Sequence, residues 1–425
     1  MKAAILLNEL TARGGAPRQA LELARALENF GHRATVYAAR YCAETCYPEI
    51  AKSLDVRALE RPSPRELEAR GPRRHHNLAE GARRHFLESR ALARMVERDR
   101  PDILNAHVRG STRAAVACKR QTGAPVVWMC DDARHWEEPG YRAYYAPPVQ
   151  WLFDRVMARA ERPVVREIDR IIALDTRVAG ILGKYYGRPV EVIRSGLDSA
   201  AFEPRPGARA AIRARHGFAE DDFVLLWLGI LEPHRRLEDA IAAVSRAGRA
   251  GCRNVRFLIA GKASFALEYT QKLVALAARE GSAGAVQFYD AAVPESEMAD
   301  YYSSADALVY LAENQCWGLG VFEAIACGLP VIVSRACGAH EVLEDGRTAR
   351  IVPPWNPDAL ARVIAELAAS PSARREMAAR ARAEVAAAMT WESYARNMAR
   401  VFEEVLEESR RAGSRAARDP REAFA

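Results

Sequence analysis

The residues best equipped for chemistry lie in the run ENQCWGLGVFEAIACGLPVIVS at positions 313–334. There Gly318 and Gly320 flank Leu319 ahead of an apolar segment that carries one acid, Glu323. Glycines at that spacing let backbone amides approach a ligand closely. A helix beginning near Val321 would aim its unpaired N–H groups and the positive end of its dipole at an anion. Glu323, in the first turns of that helix, is an acceptor for neutral hydroxyls such as a ribose diol. The helix is predicted to stop at Cys327-Gly328, and Leu329-Pro330 leads into VIVS, a short buried strand of the parallel-sheet kind. Amides for a phosphate beside an acid for hydroxyls predict a receptor for a sugar nucleotide.

Other strand ends carry residues of similar character. DFVLLWLGI reads as a strand ending on Gly229, with Arg235 and Arg236 soon after. Two arginines at a helix start face the positive dipole end, an unfavourable place unless an anion is bound, and guanidinium matches phosphate geometry. VRFLIAGKA is a strand followed by Gly261-Lys262, a second turn able to face phosphate. At the start of the chain, the strand KAAILLNEL, the turn TARGGAPR, the helix QALELARALENFG and the strand HRATVYAA form one βαβ unit. Its turn lacks G-x-G-x-x-G, which argues against a dinucleotide site, but Gly14-Gly15 precedes the helix. The strands PDILNAH and PVVWMC end at His107 and at Asp131-Asp132. In open parallel sheets the residues just past a strand's carboxyl end line the ligand crevice. Asp131 is therefore a candidate for positioning a hydroxyl, and equally a helix cap. Asp132 is placed to hold Arg134 or His135, and His107 reads as a structural or crevice-lining residue.

The run at 313–334 resembles the donor-site signature of family 4 glycosyltransferases, retaining enzymes of the two-Rossmann-domain GT-B fold, in which two glutamates are separated by seven residues. Glu323 matches the second glutamate; Gln315 stands in place of the first, with Glu313 two residues earlier as a replacement acid. The family's Gly-Arg-Leu and following lysine correspond to Gly229, to Ile230 in place of the arginine, and to Arg235 where the lysine falls. Arg236 or Lys262 is left to supply the missing charge. Gly14-Gly15 is similar to the family's N-terminal glycine pair, which lies against the donor diphosphate or the acceptor. Asp131 stands where members often carry a histidine, and Ser195-Gly196 stands in place of an Asn-Gly at the hinge segment. The turn at 290–293 corresponds to the place where the nucleobase meets backbone groups.

The resemblance thus implies catalytic roles for Asp131, Gln315 and Glu323. It implies donor contacts from Gly15, Gly229, Arg235, Arg236, Gly261, Lys262, Asp290, Gly318, Leu319, Gly320 and Glu323, and acceptor or cleft positions for His107, Asp132 and Ser195. The reaction it implies is metal-independent, retaining transfer of a sugar from a UDP- or GDP-sugar to a hydroxyl of a glycan, lipid-linked or small-molecule acceptor, in cell-envelope or polysaccharide synthesis. Arginines stand in for a metal, and no cofactor is expected beyond the donor itself. The departures at Gln315, Asp131 and Ile230 leave open a non-catalytic sugar-nucleotide-binding subunit, and the shared architecture leaves open a nucleotide-sugar epimerase.

The elements that must position these residues alternate strand and helix, so the expected class is α/β with two doubly wound, Rossmann-like domains facing across a cleft. A chain of 425 residues exceeds one ordinary core. The expected division is an acceptor-side domain at 1–197, a nucleotide-sugar domain at 198–388, a helix at 389–410 and a flexible tail at 411–425. The helix TWESYARNMARVFEEVLEESRR carries Trp391, Tyr394, Met398, Val401, Phe402 and Val405 on one face, which the fold analogy packs back on the first domain. The formal charge of +7 suits anionic partners, and nucleic acid is not expected among them. Around positions 61–100, Arg73, Arg74, His75, His76, Arg83, Arg84 and His85 interleave with acids. That stretch reads first as a salt-bridged solvent face and second as a contact with anionic membrane. The aromatics between Trp136 and Phe153 read as packing or as an acceptor-side lid. The eight cysteines lack paired C-x-x-C spacing and read as reduced core thiols. With no signal-peptide pattern and no apolar run near the ~20 residues that span a bilayer, a cytoplasmic protein is expected, peripheral at most to the inner face of the membrane.

Overall fold

The computed structural model describes residues 1–70, 78–131, 147–261, 267–313 and 317–418. The expectations for Asp132, Lys262 and Gln315, the aromatics at 136–145 and the basic residues at 73–76 lie outside these residues. The chain forms two compact units, crossing from one to the other at Gly196/Leu197 and back at Thr390/Trp391.

The first unit is built on seven parallel strands: β1 (Lys2–Leu10), β2 (Arg33–Tyr41), β3 (Asp55–Glu60), β4 (Ile103–His107), β5 (Val126–Cys130), β6 (Arg170–Ala173) and β7 (Glu191–Val192). Their order is β3-β2-β1-β4-β5-β6-β7. β1 lies beside both β2 and β4, with Ile5 opposite Val36 and Asn105, and its residues Ala3 to Leu7 are buried on both faces as a central parallel strand requires. The connecting helices are α1 (Gly15–Asn29), α2 (Pro48–Ala51), α3 (Pro64–Arg70), α4 (Leu78–Glu97), α5 (Val108–Thr122), α6 (Pro147–Arg166) and α7 (Thr176–Tyr186). α5 leaves β4 directly after His107, several residues before the STRAAVACKRQTG segment that reads as helical in sequence.

The second unit has six parallel strands: β8 (Phe223–Leu228), β9 (Val255–Ala260), β10 (Val286–Tyr289), β11 (Ala307–Tyr310), β12 (Val331–Ser334) and β13 (Arg350–Val352). Their order is β10-β9-β8-β11-β12-β13. The helices are α8 (Ala208–His216), α9 (Leu237–Arg249), α10 (Leu267–Arg279), α11 (Glu295–Ser304), α12 (Leu319–Ala326), α13 (Pro357–Ala369) and α14 (Pro371–Glu384). A buried acid, Asp306, just before β11, accepts from Arg213, Arg209 and the Val224 amide. Several of the chain's many arginines are thereby used as internal fasteners.

The last helix, α15 (Trp391–Arg418), belongs to the first unit and packs on α1. The six residues of its predicted apolar face are all at most 7% exposed. Burial of each contributes about 1.5–3 kcal/mol before entropy is counted. Arg400 with Glu191, and Glu408 with Arg170 at 2.8 Å, tie the polar side of the helix to β6 and β7.

The stretch read as a salt-bridged solvent face falls largely on α4. Glu88 pairs inward with the buried Arg40 at 3.4 Å, while Arg83, Arg84, Arg90, Phe86 and Leu87 are exposed. Among the described residues no helix is long and apolar enough to cross a membrane.

Candidate functional site

The strand orders locate one switch point in each sheet, between β1 and β4 and between β8 and β11, where connections leave in opposite directions and open a crevice at the carboxyl ends. Nearly all of the sequence-predicted residues that are described fall at these two places or at the strand ends beside them.

In the second unit, β8 ends at Leu228 and β9 at Ala260, and Gly229 and Gly261 follow with φ of 147° and 156°. A Cβ on Gly261 would stand 1.8 Å from the Gly229 carbonyl oxygen, so the two strand-end turns touch backbone to backbone and only glycine fits. Past Gly229 the chain makes a short 3-10 turn, Pro233–Arg235, and Arg236 then caps α9 in the left-handed region. The arginines thus lie just before the helix rather than within its first turn. Arg235 is half-buried, donates through Nη1 to the Tyr310 hydroxyl at 3.2 Å, and has its guanidinium carbon 5.9 Å from the centre of the Trp227 ring. A phenol oxygen and an indole face together fix its direction. Arg236 differs: it forks onto both oxygens of Asp239 at 3.0 and 3.1 Å.

Across the switch, α12 starts at Leu319, two residues earlier than its sequence suggests, so Gly320 belongs to the helix and Gly318 is its cap at φ 73°. A Cβ at Gly318 would crowd the Tyr310 ring and the Cys337 sulfur, both at 3.1 Å. Its cap residue, a glycine, brings no side chain to the terminus, and no acid occupies its first turn. The leading amides of such a helix have no acceptors within it. Tyr310 therefore borders the α12 terminus with its ring and Arg235 with its hydroxyl. Burial pushes this phenol up to about 12, with Arg235 opposing, so it is neutral at ordinary pH.

Glu323 is buried and accepts from the Tyr302 hydroxyl at 3.0 Å. Burial first, and Glu323 second, raise Tyr302 far above the usual phenol range, which keeps it a donor. Glu313 is also buried, at 3% exposure, and accepts from the Trp355 indole at 2.7 Å. Its backbone amide donates to the His234 carbonyl at 2.9 Å, which ties the end of β11 to the loop that carries Arg235. Asp290, after β10 at the sheet's edge, is exposed.

In the first unit, Gly15 opens α1, and the preceding turn is braced by Tyr47, a residue that sequence reasoning missed. The Gly14 amide donates to the Tyr47 hydroxyl at 3.0 Å, and that hydroxyl donates to the Gly14 carbonyl at 3.2 Å. Arg13 forks onto Glu49 at 3.0 Å and lies over the Tyr47 ring, and the buried Arg18, in the first turn of α1, approaches the same ring from 5.6 Å. The signal for these cations was present as R-G-G-x-x-R around the glycine pair.

His107 caps α5 and is fully buried, with no partner for either ring nitrogen among the described residues. Burial lowers it to about 3, so it is a neutral imidazole. Asp131 lies half-buried one residue past β5, and Ser195 is buried near the end of the unit with its hydroxyl unpaired among the described residues.

Comparison with known proteins agrees with this architecture. Residues 13–201 match the model described as Glycosyltransferase Family 4, and residues 208–384 match that described as Glycosyl transferases group 1. A D-inositol 3-phosphate glycosyltransferase of Streptomyces scabiei is 31% identical over 258 residues, 59% of this chain and 57% of that protein. The chain thus spans a little over half the length of that curated relative. Among solved structures, Anabaena Alr3699/HepE in complex with UDP and glucose superposes with a TM-score of 0.75 at 17% identity, covering 95% of this chain and all of that one. Sucrose-phosphate synthase from Thermosynechococcus elongatus gives 0.76 at 17% identity, over 96% of this chain and 99% of that one. With one model on each unit, strand order doubly wound in both sheets and a final helix returned to the first unit, the chain belongs to the family 4, group 1 glycosyl transferases and has their GT-B fold.

Proposed function

We propose that the protein transfers a sugar from a nucleoside-diphosphate sugar to a hydroxyl acceptor with retention at the anomeric carbon. The observation that carries this is the meeting, around Tyr310, of a glycine-capped helix terminus at Gly318 and an oriented guanidinium at Arg235. Both are sources of positive charge at a sheet switch point, where a diphosphate would be held. UDP or a UDP-sugar is the first donor to try, because HepE was crystallised with UDP, with UDP and glucose and with UDP-glucose. The inositol-phosphate enzymes among the relatives make a phosphorylated polyol the first acceptor class to test.

In the reaction the bond from the anomeric carbon to the diphosphate oxygen breaks, and the acceptor oxygen bonds to that carbon on the same face. The acceptor's proton passes to the departing phosphate. Arg235 and the α12 amides stabilise the charge that develops on the leaving group, the kind of electrostatic contribution that dominates many enzymes. Glu323, held by Tyr302, accepts from donor hydroxyls. With these groups supplying the positive charge, the step is proposed to run without a metal. Asp131 is assigned to the acceptor side. The exposed arginines of α4, beside Phe86 and Leu87, support a peripheral contact with anionic lipid and hence a lipid-linked acceptor.

A non-catalytic nucleotide-sugar binder is the second reading, favoured by Ile230, which is 47% exposed where the family's pattern has an arginine. Incubation with a panel of UDP- and GDP-sugars, with and without polyol phosphates and lipid-linked acceptors, separates the two. Acceptor-dependent release of the nucleoside diphosphate supports transfer. Binding without release supports the second reading, sugar interconversion without acceptor indicates an epimerase, and binding of no nucleotide refutes all three.

A further inference from the structure

Trp355 combines three features that ordinary loop packing does not call for. Its indole is 55% exposed, among the largest apolar exposures of the described residues. Its backbone is in the left-handed region, φ 53°, which is disfavoured for a bulky side chain. And its N–H is held at 2.7 Å by a carboxylate, Glu313, that is itself almost wholly buried. An aromatic ring kept outward on a strained backbone and pinned along one edge is a ring whose open face is meant to be met by something.

The surroundings indicate what that is. Trp355 follows β13, and Glu313 follows β11, so the pair stands at the carboxyl edge of the second unit's sheet, on the β11–β13 side of its switch point. Glu313 is three residues past Tyr310 and is bonded through its amide to His234, the neighbour of Arg235. The indole is thus linked, through Glu313 and His234, to the loop that carries Arg235. The turn after β10, with Asp290, lies at the opposite end of the strand order, five strand spacings or roughly 24 Å away. If the base occupies that end, the moiety on the Trp355 side of the phosphates is the sugar. A hexose ring has an apolar C–H face that stacks on an indole, and its rim hydroxyls are within the reach of a neighbouring carboxylate.

We propose that Trp355 is the sugar-side wall of the donor site and a determinant of donor-sugar preference, with Glu313 as the positioning residue that sets the plane of the ring. This rests on the reading of the second unit as the holder of a nucleotide sugar. Trp355 acts on the sugar and leaves the nucleotide contact alone.

The test uses Trp355→Gly in the full chain, because glycine adopts φ 53° without strain and the variant should fold. Calorimetric titration with UDP and UDP-glucose, and with GDP and GDP-mannose, reads the two moieties separately. The expected result is unchanged affinity for the free nucleotide and about three- to tenfold weaker binding of the nucleotide sugar, the range of one aromatic contact. Where a donor is turned over, KM for it should rise by the same factor with kcat little changed. Glu313→Ala should reproduce the loss, and Glu313→Gln, which keeps an acceptor for the indole, should restore affinity to within twofold. Equal nucleotide-sugar affinity in the wild type and Trp355→Gly overturns the proposal while leaving the proposed function standing, and so does an equal loss for nucleotide and nucleotide sugar. Binding of no nucleotide by the unaltered protein overturns the proposed function and this inference together.

Discussion

Gly261→Ala is the substitution whose effect the geometry fixes most tightly. The added methyl would stand 1.8 Å from the Gly229 carbonyl oxygen and 2.8 Å from its carbon, far inside contact distance, and the obstacle is backbone that cannot swing aside. The turns after β8 and β9 must separate, which strains the Gly229 amide bond to the Ala260 carbonyl and the Gly261 amide bond to the Tyr289 carbonyl, both 3.1 Å. Loss of two such bonds at about 1 kcal/mol each, with about 2 kcal/mol for a side chain at φ 156°, gives roughly 4 kcal/mol. For a unit of this size that lowers its melting temperature by about 10 °C. Gly281→Ala is the control: it too has positive φ, 70°, but a Cβ there meets nothing within 4 Å, so it should cost only about 1 kcal/mol and ~3 °C. Scanning calorimetry of the wild type and both variants reads the difference. Melting of Gly261→Ala within 2 °C of Gly281→Ala would refute the backbone contact, and with it the reasoning that this glycine is required by packing.

Three further outcomes follow from the same geometry. Arg235→Ala should weaken nucleoside-diphosphate binding by about 10- to 100-fold, as expected for a lost charge-assisted contact, whereas Arg236→Ala, whose guanidinium is held by Asp239, should change it less than about threefold; calorimetry with UDP measures both. Tyr302→Phe removes the hydroxyl that donates to the buried Glu323 carboxylate and should destabilise the protein by about 1–3 kcal/mol, read by chemical denaturation at neutral pH. His107 titrates near 3 in the folded chain against an ordinary value of 6.5, so between those values the unfolded chain binds the extra proton. Its contribution to stability is therefore full above about pH 6.5 and is lost as pH falls, by about 2 kcal/mol at pH 5. In His107→Leu the slope of stability against pH between 5 and 7 should flatten by that amount, and an unchanged slope would mean that the ring is protonated or hydrated.

The fold was legible because its signals are repeated and local. Strands buried on both faces read as unbroken apolar runs, as in VVWMC and FVLLWL, and the face of α15 is periodic over four turns. Helix starts were less legible. α12 begins two residues early because Gly318 takes a left-handed cap that places Leu319 and Gly320 in the helix, and a glycine pair in sequence does not say which glycine is the cap. The partners of the site residues were not legible at all. That Asp239 neutralises Arg236, that Tyr302 holds Glu323 and that Tyr47 clasps the Gly14 turn are contacts between residues 3, 21 and 33 positions apart. Of the three, only the i, i+3 pair could have been drawn from spacing.

The ends of β4 and β5 in the first sheet and the switch point of the second carry different groups, which bears on how labour is divided between the units. The crevice of the second sheet gathers a guanidinium and helix amides around a neutral phenol, with the guanidinium already aimed. The end of β4 in the first sheet holds a buried, neutral imidazole, and Asp131 follows the neighbouring β5. A diphosphate bearing two or more negative charges gains from the guanidinium and helix amides of the second sheet and little from the ends of β4 and β5. A hydroxyl acceptor has no charge to satisfy, and Asp131 can accept its hydrogen bond. Exchanging charge between the two places should therefore harm donor binding far more when it is made at Arg235 than at Asp131. Arg235→Glu should abolish detectable UDP binding in calorimetry, whereas Asp131→Asn should leave UDP affinity within about twofold and reduce only acceptor-dependent turnover. Loss of UDP affinity in Asp131→Asn equal to that in Arg235→Glu would contradict the division.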